Sequence, residues 1–366
     1  MKVVRFLKKN AVFCIAMFLA VVTSFLVPPD KEYLNYFDWR TLSCLFLTLA
    51  VVCALRNIKF FTILARKLVL FTGNLRTLFL MLIVITFVGS MIIANDMALI
   101  TFLPLGYFAL SVIKQEKYMA YLFVLQNISA NLGGMLTPFG NPQNLYLYSF
   151  FNIKTDEFTQ IMFPPFLLAI SLLAVCCLFV NPIKFTLTEE FGEKLDMKKT
   201  MLYIALFLVS ILIVFRIVPF MLGLVVIPVI LFFVDRHSLL MVDYALLGTF
   251  FFFFIFAGNL SRIDAVHNVL SMLLEKDTLL FSTLSCQVIS NVPSAILLSR
   301  FTTDYRSLLL GVNIGGTGTL IASLASLITF SEFKLLHPEQ TKKYLTLFTI
   351  INAAFLIIMT IFAKLI

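Results

Sequence analysis

The stretch NISANLGGMLTPFGNPQNL, residues 127–145, lies inside a long apolar region yet carries four Asn, three Gly and two Pro. In a bilayer core an unwound backbone leaves amide groups without partners, each costing several kcal/mol, so it persists only where protein or a polar cavity covers it. A Gly-Gly-x-x-Thr-Pro-x-Gly-x-Pro run inside an apolar span therefore predicts a broken helix that lines a site. Gly133, Gly134 and Gly140 permit close approach and positive φ, and Pro138 and Pro142 remove backbone donors and stop helix continuation. The freed carbonyls and the side chains of Asn131, Thr137, Asn141 and Asn144 suit a cation. Half-helix N-termini, with their partial positive charge, suit an anion. The plainer alternative is a kinked helix whose Asn residues tie neighbouring helices together.

A second copy weakens that alternative. Asn131-Leu-Gly-Gly134-Met-Leu-Thr137 and Asn313-Ile-Gly-Gly316-Thr-Gly-Thr319 both fit N-x-G-G-x-x-T, so Gly315, Gly316, Thr317 and Thr319 are the counterparts of the first set. Each copy follows an apolar region with a polar interruption: Asn95-Asp96 within 76–113, and Ser290-Asn291-Val292-Pro293 within 266–300. Each region reads as a re-entrant hairpin with a polar tip or as two short spans joined by a turn. Asn131 follows Asn95 by 36 residues and Asn313 follows Asn291 by 22, so the second connection is shorter. Broken helices are expected over 118–150 and 306–330.

The wider chain sets the environment. Of its 366 residues 61% are hydrophobic and 13% charged. Soluble domains are about 45–50% apolar and about 25% charged. Apolar runs of spanning length recur at 11–27, 40–55, 158–180, 200–218, 220–234, 241–260 and 344–366. An all-α polytopic membrane protein follows, and a nucleic-acid partner does not: the net charge of +9 comes from basic clusters between the runs. These are Lys2, Arg5, Lys8 and Lys9, then Arg56, Lys59, Arg66, Lys67 and Arg76, then Lys184, Lys194, Lys198 and Lys199, which read as cytoplasmic under the positive-inside rule. The run 11–27 after the first cluster reads as an uncleaved first span. Segment 181–199, with Glu189, Glu190, Glu193 and Asp196, is the natural cytoplasmic linker between a first repeat, 1–180, and a second, 200–366. If the two hairpins enter from opposite sides, the repeats are inverted, as in many secondary transporters. The N-terminus is then cytoplasmic and the C-terminus external.

Asp96 is the only acid between Asp38 and Glu116, and a carboxylate at membrane depth is a functional candidate, here as proton carrier or cation ligand. On an external turn it would merely be solvated. Asn95, Ser290 and Asn291 offer neutral groups that suit a carboxylate or Na⁺. Asn127, Gln287, Ser323 and Ser326 are further polar residues on the same segments. Arg262, Asp264 and His267 read as an interfacial ion-pair group, Arg216 and Asp243 as span-end anchors, and the six cysteines as buried thiols. No nucleotide, metalloprotease or hydrolase motif appears, and none of these residues points to an enzyme.

Asn95-Asp96-Met-Ala-Leu, Ala130–Asn144, Ser290-Asn-Val-Pro-Ser294 and Asn313-Ile-Gly-Gly316 together resemble the ion transporter superfamily, over nearly the whole chain. That group holds citrate and divalent-anion/sodium symporters, arsenite permeases and NhaD-type antiporters; the chain resembles in particular short bacterial citrate-transporter-like permeases of the YbiR type. The resemblance implies two inverted repeats, each with a re-entrant hairpin and an unwound helix. It also implies a transport domain moving like an elevator against a scaffold, a homodimer, a small anionic substrate and a bacterial inner membrane. It places hairpin tips at Asn95-Asp96 and Ser290-Asn291 and unwound loops at Thr137–Asn144 and Gly315–Thr319. Na⁺ or H⁺ would be the coupling ion, Na⁺ near Asn95, Asp96 and Asn141 and near Ser290, Asn291 and Thr319, with no other cofactor. The Ser-Asn-Thr tips of the divalent-anion symporters are missing, and Asn-Asp at the first tip resembles the arsenite and antiporter branches. Carboxylate symport or exchange, arsenite or antimonite efflux, and Na⁺/H⁺ antiport through Asp96 are the functions in view. Scaffold and channel readings account poorly for two matched broken helices.

Overall fold

The computed structural model describes residues 10–185 and 195–366. The N-terminal basic cluster, Lys2 to Lys9, and the linker residues Glu189, Glu190, Glu193 and Lys194 lie outside the described residues. The described chain is helical, with one isolated antiparallel bridge, Asn74 to Lys184, that fastens the start of the linker to the first hairpin. Among the described residues, seven helices are long and apolar enough to cross a membrane. This is a polytopic membrane protein.

One group of helices packs around the first span. α1 (Ala11–Leu26) lies along α12 (Tyr244–Ser261), and Asn259 reaches across to donate to the Thr23 and Ser24 hydroxyls at 3.2 and 3.3 Å. α2 (Trp39–Asn57) contacts α9 (Met197–Val214), α10 (Phe220–Val234) and the short α11 (Arg236–Leu240). The helix ends follow their caps: Asp38, Asp196, Asp235 and Asp243 each accept a backbone N–H of the helix they begin. Asp243, expected as a span-end anchor, is seen as the cap of α12. Between α2 and the first hairpin the basic stretch is a helix, α3 (Phe60–Leu70), where composition alone read a loop. Phe61, Ala65 and Val69 recur every four residues and are buried, while Lys67 is exposed.

The other group carries the polar segments. α4 (Leu75–Ile93) and α5 (Asn95–Val112) form the first hairpin and pack on α6 (Met119–Gly133). The chain then opens at 134–141 and resumes as α7 (Pro142–Phe150), whose first residue is a proline needing no N–H partner there. α8 (Thr155–Leu178) covers α4 and α6 from outside. In the second half α13 (Asp264–Ile289) and α14 (Asn291–Leu298) form the hairpin, with a non-helical residue at Asp277. α15 (Tyr305–Ile314) ends where 315–323 opens, α16 (Leu324–Leu336) resumes, and α17 (Thr341–Leu365) closes the chain.

The hairpins differ in size. α4 and α5 have 19 and 18 residues, each long enough to cross. The stretch from Asp277 to the second tip and the 8-residue α14 are far shorter. The second arm, 8 residues against 18, supplies most of the shortening of the interval in the second half. Packing also ignores the sequence halves, since α1 and α2 lie with α9–α12. The cysteines are free thiols; Cys44, Cys53, Cys177 and Cys286 are buried, and Cys14 and Cys176 are partly buried.

Candidate transport site

Each hairpin turns at a single residue. Ala94 has φ 64° and ψ 152°, and Ser290 has φ 75° and ψ 158°. Side chains other than glycine rarely occupy this region, at a cost of about 1–3 kcal/mol, so the surroundings must enforce it. At each tip the next residue is Asn, and its Oδ1 accepts the following backbone N–H at 2.9 Å: Asn95 from Asp96, Asn291 from Val292. The equivalence is therefore Ala94 with Ser290, Asn95 with Asn291, and Asp96 with Val292. Placing the tips at Asn95-Asp96 and Ser290-Asn291 was one residue out of step in the first half.

The tips face the openings. The Thr137 hydroxyl donates to the Met91 carbonyl at 2.6 Å, holding the first loop to its hairpin. The Asn291 N–H donates to the Ala322 carbonyl at 2.9 Å, holding the second tip to its loop. The carbonyls left free where α6 and α15 end are taken by side-chain amides. Asn144 Nδ2 is shared among Gly134, Met135 and Thr137 oxygens at 3.2–3.3 Å. Gln287 Nε2 does the same for Gly315 and Thr317 at 2.9 and 3.1 Å, and its Oε1 accepts Thr319 N–H at 2.8 Å. Gln287 thus shapes the second loop. Gly133 and Gly134 need their missing side chains: a Cβ at Gly133 would lie 2.3 Å from the Phe87 carbonyl oxygen, and one at Gly134 2.4 Å from Asn141 Oδ1.

The two halves meet in a buried amide lattice. Asn313 Nδ2 donates to Leu309 O at 2.8 Å and to Asn144 Oδ1 at 2.5 Å, while its Oδ1 accepts from Asn141 at 3.2 Å and Gln143 at 3.4 Å. Asn141 also donates to the Asn131 carbonyl at 3.2 Å, and Asn131 Oδ1 accepts from Asn95 at 3.3 Å. Asn131 donates to Asn127, which exchanges hydrogen bonds with Ser326 at 3.0 and 3.2 Å. Backbone carbonyls fix the nitrogen ends of Asn131, Asn141, Asn144 and Asn313, and Asn313 Oδ1 in turn fixes that of Gln143. Asn141 Oδ1, Gln143 Oε1 and Asp96 Oδ1 are buried without partners. Asn141 opens on a cleft bounded by Leu45, Thr48 and Leu49 of α2 and by Ala94 at the first tip.

Of the residues singled out from sequence, Asn95, Asn131, Asn141, Asn144 and Asn313 share this lattice. Gly316 lies between Asn291 and Asn131. Pro138 and Gly140 shape the first loop, and Pro293 sits in the first turn of α14. Thr317 bonds locally to Ile314 O, and Thr319 is exposed, its hydroxyl on the Gln287 carbonyl. Gln143 and Gln126 escaped notice, although Gln143 sits between two flagged residues in Asn-Pro-Gln-Asn; Gln126 donates to Thr86 and Phe102 O. Away from the site, Arg262 pairs with Asp30 at 2.6 Å and Glu32 at 3.3 Å, and its hydrogen bond holds the Asp30 carboxyl below the usual range.

A multi-pass helical protein that opens two helices onto one buried polar lattice has the build of a membrane transporter. The chain belongs to the citrate transporter family (CitMHS), whose profile matches residues 3–304. It is similar to an uncharacterized transporter, MJ0456, of Methanocaldococcus jannaschii, at 32% identity over 91% of each chain. It is also similar to the inner membrane protein YbiR of Escherichia coli K12, at 29% identity over 88% of each chain.

Proposed function

We propose that the chain is a secondary active transporter that moves a small anion, a di- or tricarboxylate such as citrate or succinate, coupled to Na⁺ or H⁺ through elevator-type alternating access. The observation that carries this reading is the joint lattice at Asn313, where both broken helices meet beside a cleft. Four helices, α5, α7, α14 and α16, begin at the tips and openings, so their positive ends favour a carboxylate without a trapping lysine or arginine. The unpartnered oxygens of Asn141, Gln143 and Asp96 suit a coupling cation. The family's description supports citrate-like substrates. In this reading the repeats are inverted, with the N-terminus cytoplasmic, the C-terminus external and the bacterial inner membrane as location, and two copies pair through α1, α2 and α9–α12.

A second reading, Na⁺/H⁺ antiport through Asp96, is favoured by one observation: a carboxylate oxygen buried beside the tip with no hydrogen-bond partner, ready for a proton. Proteoliposome uptake of citrate, succinate and arsenite, each under a Na⁺ or a pH gradient, tests both and includes metalloid efflux. Carboxylate uptake under one gradient supports the proposal. Na⁺-dependent proton movement without any anion supports antiport. Movement of no solute under either gradient refutes secondary transport.

A further inference from the structure

Two arginines join the site-bearing helices to the surrounding ones. α7 begins at the site, and its last turn is gripped from outside its own segment. Arg216, in the turn between α9 and α10, donates Nη2 to the Tyr148 carbonyl at 2.7 Å and lies 4.7 Å from the centre of the Tyr148 ring. Its backbone is held at φ 66°, an uncommon conformation for a side chain this large. Arg300, just past α14, lies 5.1 Å from the Phe150 ring and donates Nη2 to the Tyr36 carbonyl at 2.6 Å. Ser299, its neighbour, hydrogen-bonds the Tyr146 hydroxyl at 2.8 Å, so α7 and α14 are tied to each other.

The far ends of both contacts are fixed. Tyr36 belongs to the connector between α1 and α2, which Arg262 anchors through Asp30, Glu32 and the Tyr36 hydroxyl. The Tyr36 ring also packs so tightly on Gly258 of α12 that a Cβ there would lie 2.4 Å from it. The last turn of α9, just before Arg216, is held to α2 by Arg40, which donates to the Ile213 carbonyl at 3.3 Å. No carboxylate among the described residues pairs with Arg216 or Arg300, and Arg300 Nε is buried without a partner. One carbonyl and one ring face hold each guanidinium, a grip that releases more readily than a carboxylate fork. Elsewhere α2 packs on α7, its Arg56 reaches the Met97 sulfur of α5 at 3.6 Å, and the cleft lined by Thr48 and Asn141 lies between α2 and the site.

We propose that Arg216 and Arg300 form a latch that holds the pair of helices α7 and α14 against α1, α2 and α9–α12 in this conformation and opens when that pair moves. The inference rests on the alternating-access reading, and its test uses no solute. Thr48 faces the cleft from α2 and is 8% exposed. In the full chain in nanodiscs, Thr48→Cys is alkylated with a small maleimide, and the parent with its native cysteines gives the baseline. Arg216→Gln and Arg300→Gln should each raise the labelling rate several-fold, and together about tenfold, by shifting the population toward the unlatched state. Arg300→Lys, which keeps the charge but loses the planar guanidinium, should fall between and decides alone if the double variant does not fold. Labelling at the parental rate in folded variants overturns the latch, even if anion uptake is observed. Faster labelling supports it, even if no tested solute moves.

Discussion

Asn313→Ala tests whether the two broken helices are one unit. The side chain gives Asn144 Oδ1 its donor and Gln143 Nε2 its acceptor, whereas Asn141 keeps a second bond to the Asn131 carbonyl. Truncation therefore strands two buried polar atoms, at about 1–3 kcal/mol each, or about 2–6 kcal/mol together. At about 2 °C per kcal/mol the melting temperature should fall by about 4–12 °C. The assay is thermal melting of purified protein followed by fluorescence-detected size exclusion. Asn144→Ala closes a double-mutant cycle, and a coupling of about 1–3 kcal/mol is expected because one contact is shared. Asn313→Asp should be worse than Ala, since a carboxylate cannot donate to Leu309 O or Asn144 Oδ1. A melting shift below about 1 °C for Asn313→Ala, or strict additivity, refutes the lattice as the bond between halves.

Asp96→Asn should leave melting unchanged or raise it, because the buried Asp96 Oδ1 has no partner to lose and the tip bond uses the Asp96 backbone; uptake driven by a pH gradient should disappear, and intact coupling would show that the acid is not the proton site. Gly134→Ala should cost about 1–3 kcal/mol by overpacking against Asn141 Oδ1 and the Gly140 carbonyl, read by melting beside Gly73→Ala, where nothing lies within 4 Å. Gln287→Leu frees the Gly315 and Thr317 carbonyls and the Thr319 N–H, so hydrogen exchange across 315–323 should accelerate at least tenfold, about 1.4 kcal/mol, while 134–141 is unaffected. The Asp30 carboxyl is held low by Arg262, so the connector's anchor is present above its ordinary pKa of about 3.9 and lost only as pH falls below it. Melting should therefore show no Asp30-dependent change between about pH 5 and 8, tested by comparison with Asp30→Asn.

Much of the site was legible because its chemistry is intolerable elsewhere in such a chain. Amides, glycines and prolines within apolar runs mark the places where a helix opens, and the N-x-G-G-x-x-T repeat picked out both openings. The tips were harder. Ala94 carries no polar group, so nothing in the sequence distinguishes it from the alanines of an ordinary helix; the residues around it are held by Asn131 and Thr137, through Asn95 and the Met91 carbonyl. Gln143 was passed over because its role depends on meeting Asn313, 170 residues away. Its place at a span end makes Arg216 look like an anchor, whereas its partner is the last turn of α7.

Hydropathy by itself determined that the chain is a helical membrane protein, because the cost of unpaired backbone in lipid leaves few alternatives. Local composition determined where those helices break. Tertiary structure alone decided that the two breaks face each other, that α1 and α2 pack with α9–α12 rather than with their own half, and which amide oxygens remain free. Hydrogen-bond pairing between residues 170 apart depends on their position in space, which residue spacing along the chain does not encode.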